Sequence, residues 1–302
     1  MGGAIARGLA KGTIFAENEI TCTAKSNATL EKLRNTNPQM NLTPDNIRAV
    51  AGADIILFAV KPWLMKEVIE QVKPYLAPDR SQIYISVAAG IPCQQLEEWI
   101  ESYNIIRVIP NTAIEIGESM TFITASDLSM PQIGIVGKIF SELGNTMIVP
   151  ESQLAACTAL ASCGIAFAMR YIQASAQGGV EIGIKASDAQ KIVEHTMIGA
   201  AKLLLAKNAH PATEIDKVTT PGGITIRGLN EMEHAGFTSA VIKGLKEQAK
   251  QETEKELKTK TPLEIIDGIL IPAHCFTPHK SFYGNCTDRL SKIFKEKFDD
   301  IF

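Results

Sequence analysis

The run Thr219-Thr220-Pro221-Gly222-Gly223-Ile224-Thr225-Ile226-Arg227-Gly228-Leu229 holds residue types suited to binding and chemistry. Pro221 fixes one dihedral and lacks a donor, while Gly222 and Gly223 allow a sharp turn with no Cβ in the way. A helix starting just after them points its first N–H groups outward, where they suit an anion. Thr220 and Thr225 add two hydroxyls. The pattern predicts a pocket for a small carboxylate or phosphate, far from the amino terminus, where a nucleotide loop is normally found.

Three other segments carry small residues directly after apolar runs: Ala59-Val60-Lys61-Pro62, Ala88-Ala89-Gly90 and Pro110-Asn111-Thr112-Ala113. Open α/β sheets bind ligands outside the carboxyl ends of their strands. Small residues there let a flat ring or a pyrophosphate approach the backbone. Each segment alone reads equally well as a short turn; three in register read as a binding face. Met1-Gly2-Gly3-Ala4-Ile5-Ala6-Arg7-Gly8-Leu9 resembles the end of a dinucleotide loop entering its first helix, with Met1 and Gly2 at the cofactor. The first strand and leading Gly-x-Gly of that fingerprint are missing from this sequence. Ile20–Ala24 is then the second strand, ending in Ala24-Lys25-Ser26-Asn27 with no acid for ribose hydroxyls. Lys25 and Ser26 suit a 2′-phosphate instead, so NADP (as NADPH) is favoured, with NAD as the alternative.

The elements that must position these residues alternate in the first half. Asp54–Val60, Gln82–Ala88 and Ile105–Ile109 are apolar strands, and helical patterns run through Ala28–Asn35, Trp63–Lys73 and Gln94–Tyr103. Ser119–Thr124 and Thr146–Val149 follow as strands around a helix at Gln132–Leu143. This is an α/β, Rossmann-like, doubly wound and mostly parallel sheet. After Pro150 the strand pattern stops, and Glu151–Gln177, Ala186–Lys207 and Ala240–Lys258 read as helices. We therefore expect residues 1–150 as an NADP-binding domain, 151–260 as an all-α domain, and 261–302 as an extension of unknown role.

At 302 residues, 45% hydrophobic and 21% charged, the chain suits two globular domains. A net charge of -3 argues against nucleic acid or an acidic membrane as partner. The apolar stretch Leu154–Met169 is short for a membrane span and rich in small residues, so a buried helix with close neighbours is expected. Six scattered cysteines and no signal-peptide pattern point to reduced thiols in the cytoplasm. His195, His210 and His234 read as surface or capping residues rather than general acids. His274-Cys275, His279 and Cys286 match no standard zinc spacing, and no metal is expected. The Lys/Glu-rich 246–260 reads as a solvated helix face, and Leu290, Ile293, Phe294, Phe298 and Ile301 as an amphipathic helix packing on this chain or a partner subunit.

Together these segments resemble the pyrroline-5-carboxylate reductase family, from Met1 to about Lys250. The most specific parts are Ala59–Pro62, Ser86-Val87-Ala88-Ala89-Gly90, Asn111-Thr112 and Thr219–Leu229 with Gly236-Phe237. The resemblance implies a Rossmann domain for NADPH and a helical dimerisation domain, giving a homodimer or larger ring. It implies cofactor contacts at Ala59, Val60, Lys61, Pro62, Ala88, Ala89, Gly90, Asn111 and Asn46, and a substrate-carboxylate loop in which Thr220 and the backbone amides of Gly222 and Gly223 hold the carboxylate. Lys61 as a catalytic lysine is the competing assignment. The implied reaction is reduction of the cyclic imino acid 1-pyrroline-5-carboxylate to L-proline, the last step of proline biosynthesis. Thr225 is the candidate catalytic donor to the imine nitrogen, because a neutral hydroxyl donates without repelling an iminium. Where the family usually carries Ser-Gly-Ser-Gly-Pro-Ala-Tyr, this chain has Ala161-Ser162-Cys163-Gly164-Ile165-Ala166-Phe167, a net loss of two hydroxyls. Alternatives are a non-catalytic dimeric relative with a shortened cofactor loop, and a related reductase acting on another small acid.

Overall fold

The computed structural model describes residues 1–77, 82–258 and 274–276. The chain forms two compact units: Met1–Ser162 together with the chain from Ala249 onward, and Cys163–Gln248. In the first unit, strands β1 (Ile20–Thr23), β2 (Asn41–Thr43), β3 (Ile55–Phe58), β4 (Ile83–Ser86), β5 (Ile105–Ile109), β6 (Ser119–Thr124), β7 (Gly144–Ile148) and β8 (His274–Phe276) make one sheet. Around it lie helices α1 (Gly2–Leu9), α2 (Asn27–Thr36), α3 (Asn46–Val50), α4 (Met65–Val72), α5 (Cys93–Ile100) and α6 (Pro131–Ser141).

Strand β3 shows why its apolar run is continuous. Successive side chains point to opposite faces. Ile55 and Leu57 join a core with Ile5 and Leu9 of α1 and Val136 of α6. Ile56 and Phe58 join a second core with Val68 and Ile69 of α4 and Leu96 of α5. Both faces are covered, so no polar residue belongs in the strand.

The sheet order is β2-β1-β8-β3-β4-β5-β6-β7. Pairs β1–β2, β3–β4, β4–β5 and β6–β7 are parallel, as the sequence led us to expect. Strand β6 runs antiparallel to β5, because a single 3-10 turn, Thr112–Ile116, joins them and is too short for a crossover. The position between β1 and β3 is held by β8, antiparallel to both. Three residues of the extension thus have a place in the sheet. The tail helix read at 288–302, and His279 and Cys286, lie outside the described residues.

A helical run leaves the sheet after Pro150: a 3-10 turn at Glu151–Gln153, α7 (Leu154–Thr158), a π turn at Ala159–Cys163 and α8 (Gly164–Glu181). The second unit continues with α9 (Ala186–Lys207), α10 (Pro211–Val218), α11 (Ile224–His234) and the first part of α12 (Phe237–Lys258). Helices α8 and α9 pack as a hairpin, and Tyr171 meets Phe237 edge-on at 6.2 Å. Among this unit's residues only Ala189 is buried. The expected burial of Leu154–Met169 therefore holds at Leu154, Thr158 and Ala159 and stops there. From Gly164 onward every residue of the helix is half-buried or exposed, although α9 and Phe237 pack against it.

Candidate active site

The carboxyl ends of the strands assemble one face of the first unit. Phe58 pairs with Ser86, and Ser86 with Arg107, so the turns after β3, β4 and β5 are neighbours. After β3, Ala59 and Val60 are buried, and Pro62 opens a 3-10 turn in which Lys61 O accepts from Leu64 N at 2.9 Å. Lys61 Nζ sits 5.8 Å from the Trp63 ring centroid, a cation–π contact. After β4, Ala88 is buried, its amide donates to Ser86 Oγ at 3.3 Å, and Gly90 takes φ 79°. After β1, Lys25 and Ser26 are exposed, and the Ser26 side chain makes no capping bond to α2. Asn46 opens α3, where its Nδ2 donates to Gln71 Oε1 at 3.0 Å and Asp45 caps Ile47 N.

Met1 is the N-cap of α1, and its carbonyl accepts from Ala4 N at 2.9 Å. Burial holds the Met1 ammonium below its ordinary pKa; Glu115 opposes this, while Arg7 and Lys61 add to it by repulsion. Two cationic side chains thus act at the amino end of α1, where a phosphate would gain from them and from the helix end.

Asn111 behaves differently from the other strand-end residues. It is buried, its Oδ1 accepts from Ala113 N at 3.0 Å, and its Nδ2 donates to Ala161 O at 3.4 Å. Its amide is engaged by the chain itself. One position on, Ser162 Oγ donates to Pro110 O at 3.1 Å. Arg107, 1% exposed in the middle of β5, meets Glu151 Oε1 at 2.5 Å, and the same oxygen accepts from Cys93 N at 2.7 Å. Burial pushes the Glu151 carboxyl up, but the bonds from Cys93 and Arg107 outweigh it and hold it below the usual range. Sequence reading missed this network, although Arg107 was a signal: a charge inside an otherwise apolar strand needs a partner.

The Pro-Gly-Gly element lies in the second unit. Gly223 N donates to Thr220 O at 2.9 Å, closing a turn with Pro221 and Gly222 at its centre, and Gly222 takes φ 72°. Gly223 is the N-cap of α11. This corrects one expectation. The Gly223 amide closes the turn and is not left over for a carboxylate; the unpaired helix-start amides are those of Ile224, Thr225 and Ile226. Gly223 matters instead because a Cβ there would lie 2.6 Å from Thr220 Oγ1 and 2.9 Å from Thr220 O. Thr220 and Thr225 are exposed.

The histidines fall as expected. His195 is exposed, His210 Nδ1 caps α10 by accepting from Ala212 N at 3.3 Å, and His234 is an exposed neighbour of Glu231. Among the described residues no group of three or more His, Cys, Asp or Glu could hold a metal ion.

The family described as pyrroline-5-carboxylate reductase dimerisation matches residues 151–255, and that described as NADP oxidoreductase, coenzyme F420-dependent, matches residues 1–90. The pyrroline-5-carboxylate reductase 2 of Dictyostelium discoideum is 35% identical over 287 residues, 89% of this chain and 93% of that protein. The chain belongs to the pyrroline-5-carboxylate reductase family. The pyrroline-5-carboxylate reductase 1 of the same organism is 40% identical over 81% of this chain, which spans about half, 46%, of that relative's length. The Plasmodium falciparum pyrroline carboxylate reductase, solved with NADP bound, superposes with TM-score 0.75 at 26% identity, covering 85% of this chain and 94% of that one. The Coxiella burnetii pyrroline-5-carboxylate reductase gives 0.76 at 26% identity, covering 84% and 96%.

Family membership explains the missing core of the second unit. Met169, Val180, Ile192, Ile198 and Val241 are large apolar side chains left exposed on α8, α9 and α12. They lie in the region that matches the reductase dimerisation family, so this surface is one of self-association. The run Glu151–Glu181 is long and apolar enough to cross a membrane by length and composition alone, and it lies within the region that matches the reductase dimerisation family.

Proposed function

We propose that this chain reduces 1-pyrroline-5-carboxylate to L-proline with NADPH, as a homodimer or larger ring in the cytoplasm. The observation carrying this reading is the Thr220–Gly223 turn, which opens α11 with unpaired amides and two flanking hydroxyls in a member of this reductase family.

In the first unit Met1, Gly2, Lys25, Ser26, Asn46, Ala59, Val60, Lys61, Pro62, Ala88, Ala89 and Gly90 would hold the dinucleotide. Lys25 and Ser26 would take the 2′-phosphate and so favour NADPH over NADH. When bound, NADPH would supply a hydride for the ring C=N carbon. In the second unit the Thr220 hydroxyl and the first amides of α11 hold the substrate carboxylate, where the helix end favours negative charge. The Thr225 hydroxyl donates to the imine nitrogen, on which electron density builds as the carbon is reduced. Holding the ring in one orientation lowers the barrier further. Four free cysteines among the described residues, Cys22, Cys93, Cys157 and Cys163, support a reducing compartment.

The test is cofactor oxidation by the purified chain given 1-pyrroline-5-carboxylate with NADPH or NADH, with proline identified as product. Oxidation of neither cofactor overturns the reading. A non-catalytic relative has one observation behind it: β8 holds the sheet position beside β1 and β3 and runs antiparallel. A chain that binds neither dinucleotide would be that relative.

A further inference from the structure

We propose that Asn111 and Ser162 are positioning residues. Together they clasp Ala161 and Ser162, in the π turn, to the end of β5 within the first unit, and so fix the turn that follows β5. The inference rests on reading the strand ends as the cofactor face.

The clasp has two sides. Asn111 Nδ2 donates out of the β5 turn to Ala161 O, and Ser162 Oγ donates back into it, to Pro110 O. A π turn widens the helix by one residue and takes its carbonyls out of the regular ladder, and such turns recur at functional positions. Here the widened turn offers the Ala161 carbonyl to the sheet. Asn111 is itself held by its backbone amide, which donates to Ser119 Oγ at 3.2 Å, with Thr121 Oγ1 donating to the same Ser119 oxygen at 2.9 Å. Ser119 and Thr121 are both buried beneath the clasp. At the start of the run, Glu151 is tied to Arg107 and to Cys93, the first residue of α5. The stretch from Glu151 to Ser162 is thus fastened at both its ends to β5 and the start of α5. The Ser162 hydroxyl also stands where the family run quoted above has glycine, so that half of the clasp is a feature of this chain.

The variants separate positioning from contact and from mere folding. Asn111→Ser keeps an N-cap oxygen for Ala113 N but is too short to reach Ala161 O. Ser162→Ala removes the return bond, and Ser162→Thr keeps a hydroxyl. We expect Asn111→Ser and Ser162→Ala each to lower kcat by about 10-fold, the effect of one lost hydrogen bond on orientation. NADPH Kd should hold within about threefold, Ser162→Thr should recover most of the activity, and amide exchange across 159–166 should quicken about 10-fold in both losing variants. Weakened NADPH binding in Asn111→Ser that matches the loss in kcat overturns the inference, since Asn111 would then contact the cofactor. Unchanged exchange across 159–166 also overturns it. The exchange measurement needs no activity, so an inactive wild-type chain would refute the proposed reaction and leave the clasp to be judged on its own.

Discussion

Gly223 and Gly222 are adjacent, yet the structure gives them opposite tolerances. At Gly223 the backbone, φ -67° and ψ 164°, suits any residue, so Gly223→Ala carries no dihedral penalty. The added methyl would instead lie 2.6 Å from Thr220 Oγ1 and 2.9 Å from Thr220 O. Rotation of Thr220 about χ1 relieves the first contact. The second is with backbone, and that oxygen also accepts the Gly223 amide at 2.9 Å. The turn must therefore open, moving Thr220 and the start of α11 apart. A hydrogen bond to a charged group contributes about 1.5–3 kcal/mol. Losing one from the carboxylate site raises KM for 1-pyrroline-5-carboxylate by roughly 10- to 150-fold. The turn is largely exposed, so the melting temperature should stay near wild type. Gly222→Asn is the control: its φ of 72° is one that Asn adopts, and nothing lies within 4 Å of an added Cβ. Its KM should stay near wild type. Steady-state kinetics with imine varied at saturating NADPH, alongside thermal melts, reads all three proteins. An unchanged KM in Gly223→Ala, or an equal loss in Gly222→Asn, would refute the argument.

Thr225→Val should lower kcat by about 10- to 1000-fold, the range for one preorganised donor, with recovery in Thr225→Ser; unchanged turnover removes Thr225 from the chemistry. Glu151 has a depressed pKa in the folded chain, so its stabilisation is present above the ordinary value of 4.5 and is lost as pH falls through the lower folded value. Urea midpoints of wild type and Glu151→Gln should therefore differ at neutral pH and converge in acid; a gap independent of pH contradicts the charge-based account. Ending the chain after Lys258 removes β8 and bares the facing edges of β1 and β3. Amides of both strands should then exchange faster and the melting temperature fall, whereas unchanged protection would mean that β8 contributes nothing to the sheet.

Much of this architecture is local and was legible in the chain. Ile55-Ile56-Leu57-Phe58 has to be a strand covered on both faces, because no face of it tolerates water. Pro221-Gly222 has to turn, since a prolyl ring and a residue free to take positive φ specify that geometry whatever surrounds them. The short β2 and α3 and the eight-residue α10 escaped the reading, since segments of that length carry little periodicity. The resemblance implied a dimerisation domain, but which of its side chains stay uncovered was hidden for a different reason. Apolar residues on α8 and α9 look the same in sequence whether their own chain or a second copy covers them.

The tertiary structure alone decided which polar groups are already engaged. The Asn111 amide and the Gly223 N–H read as ligand donors in the sequence, yet one is bonded to Ala113 and Ala161 and the other to Thr220. Glu151, 44 residues after Arg107, became its partner only once β5 and the helical run were brought together. Residue type sets what a group can donate or accept. Which partner it takes is fixed by contacts distant in sequence, and no spacing along the chain encodes them.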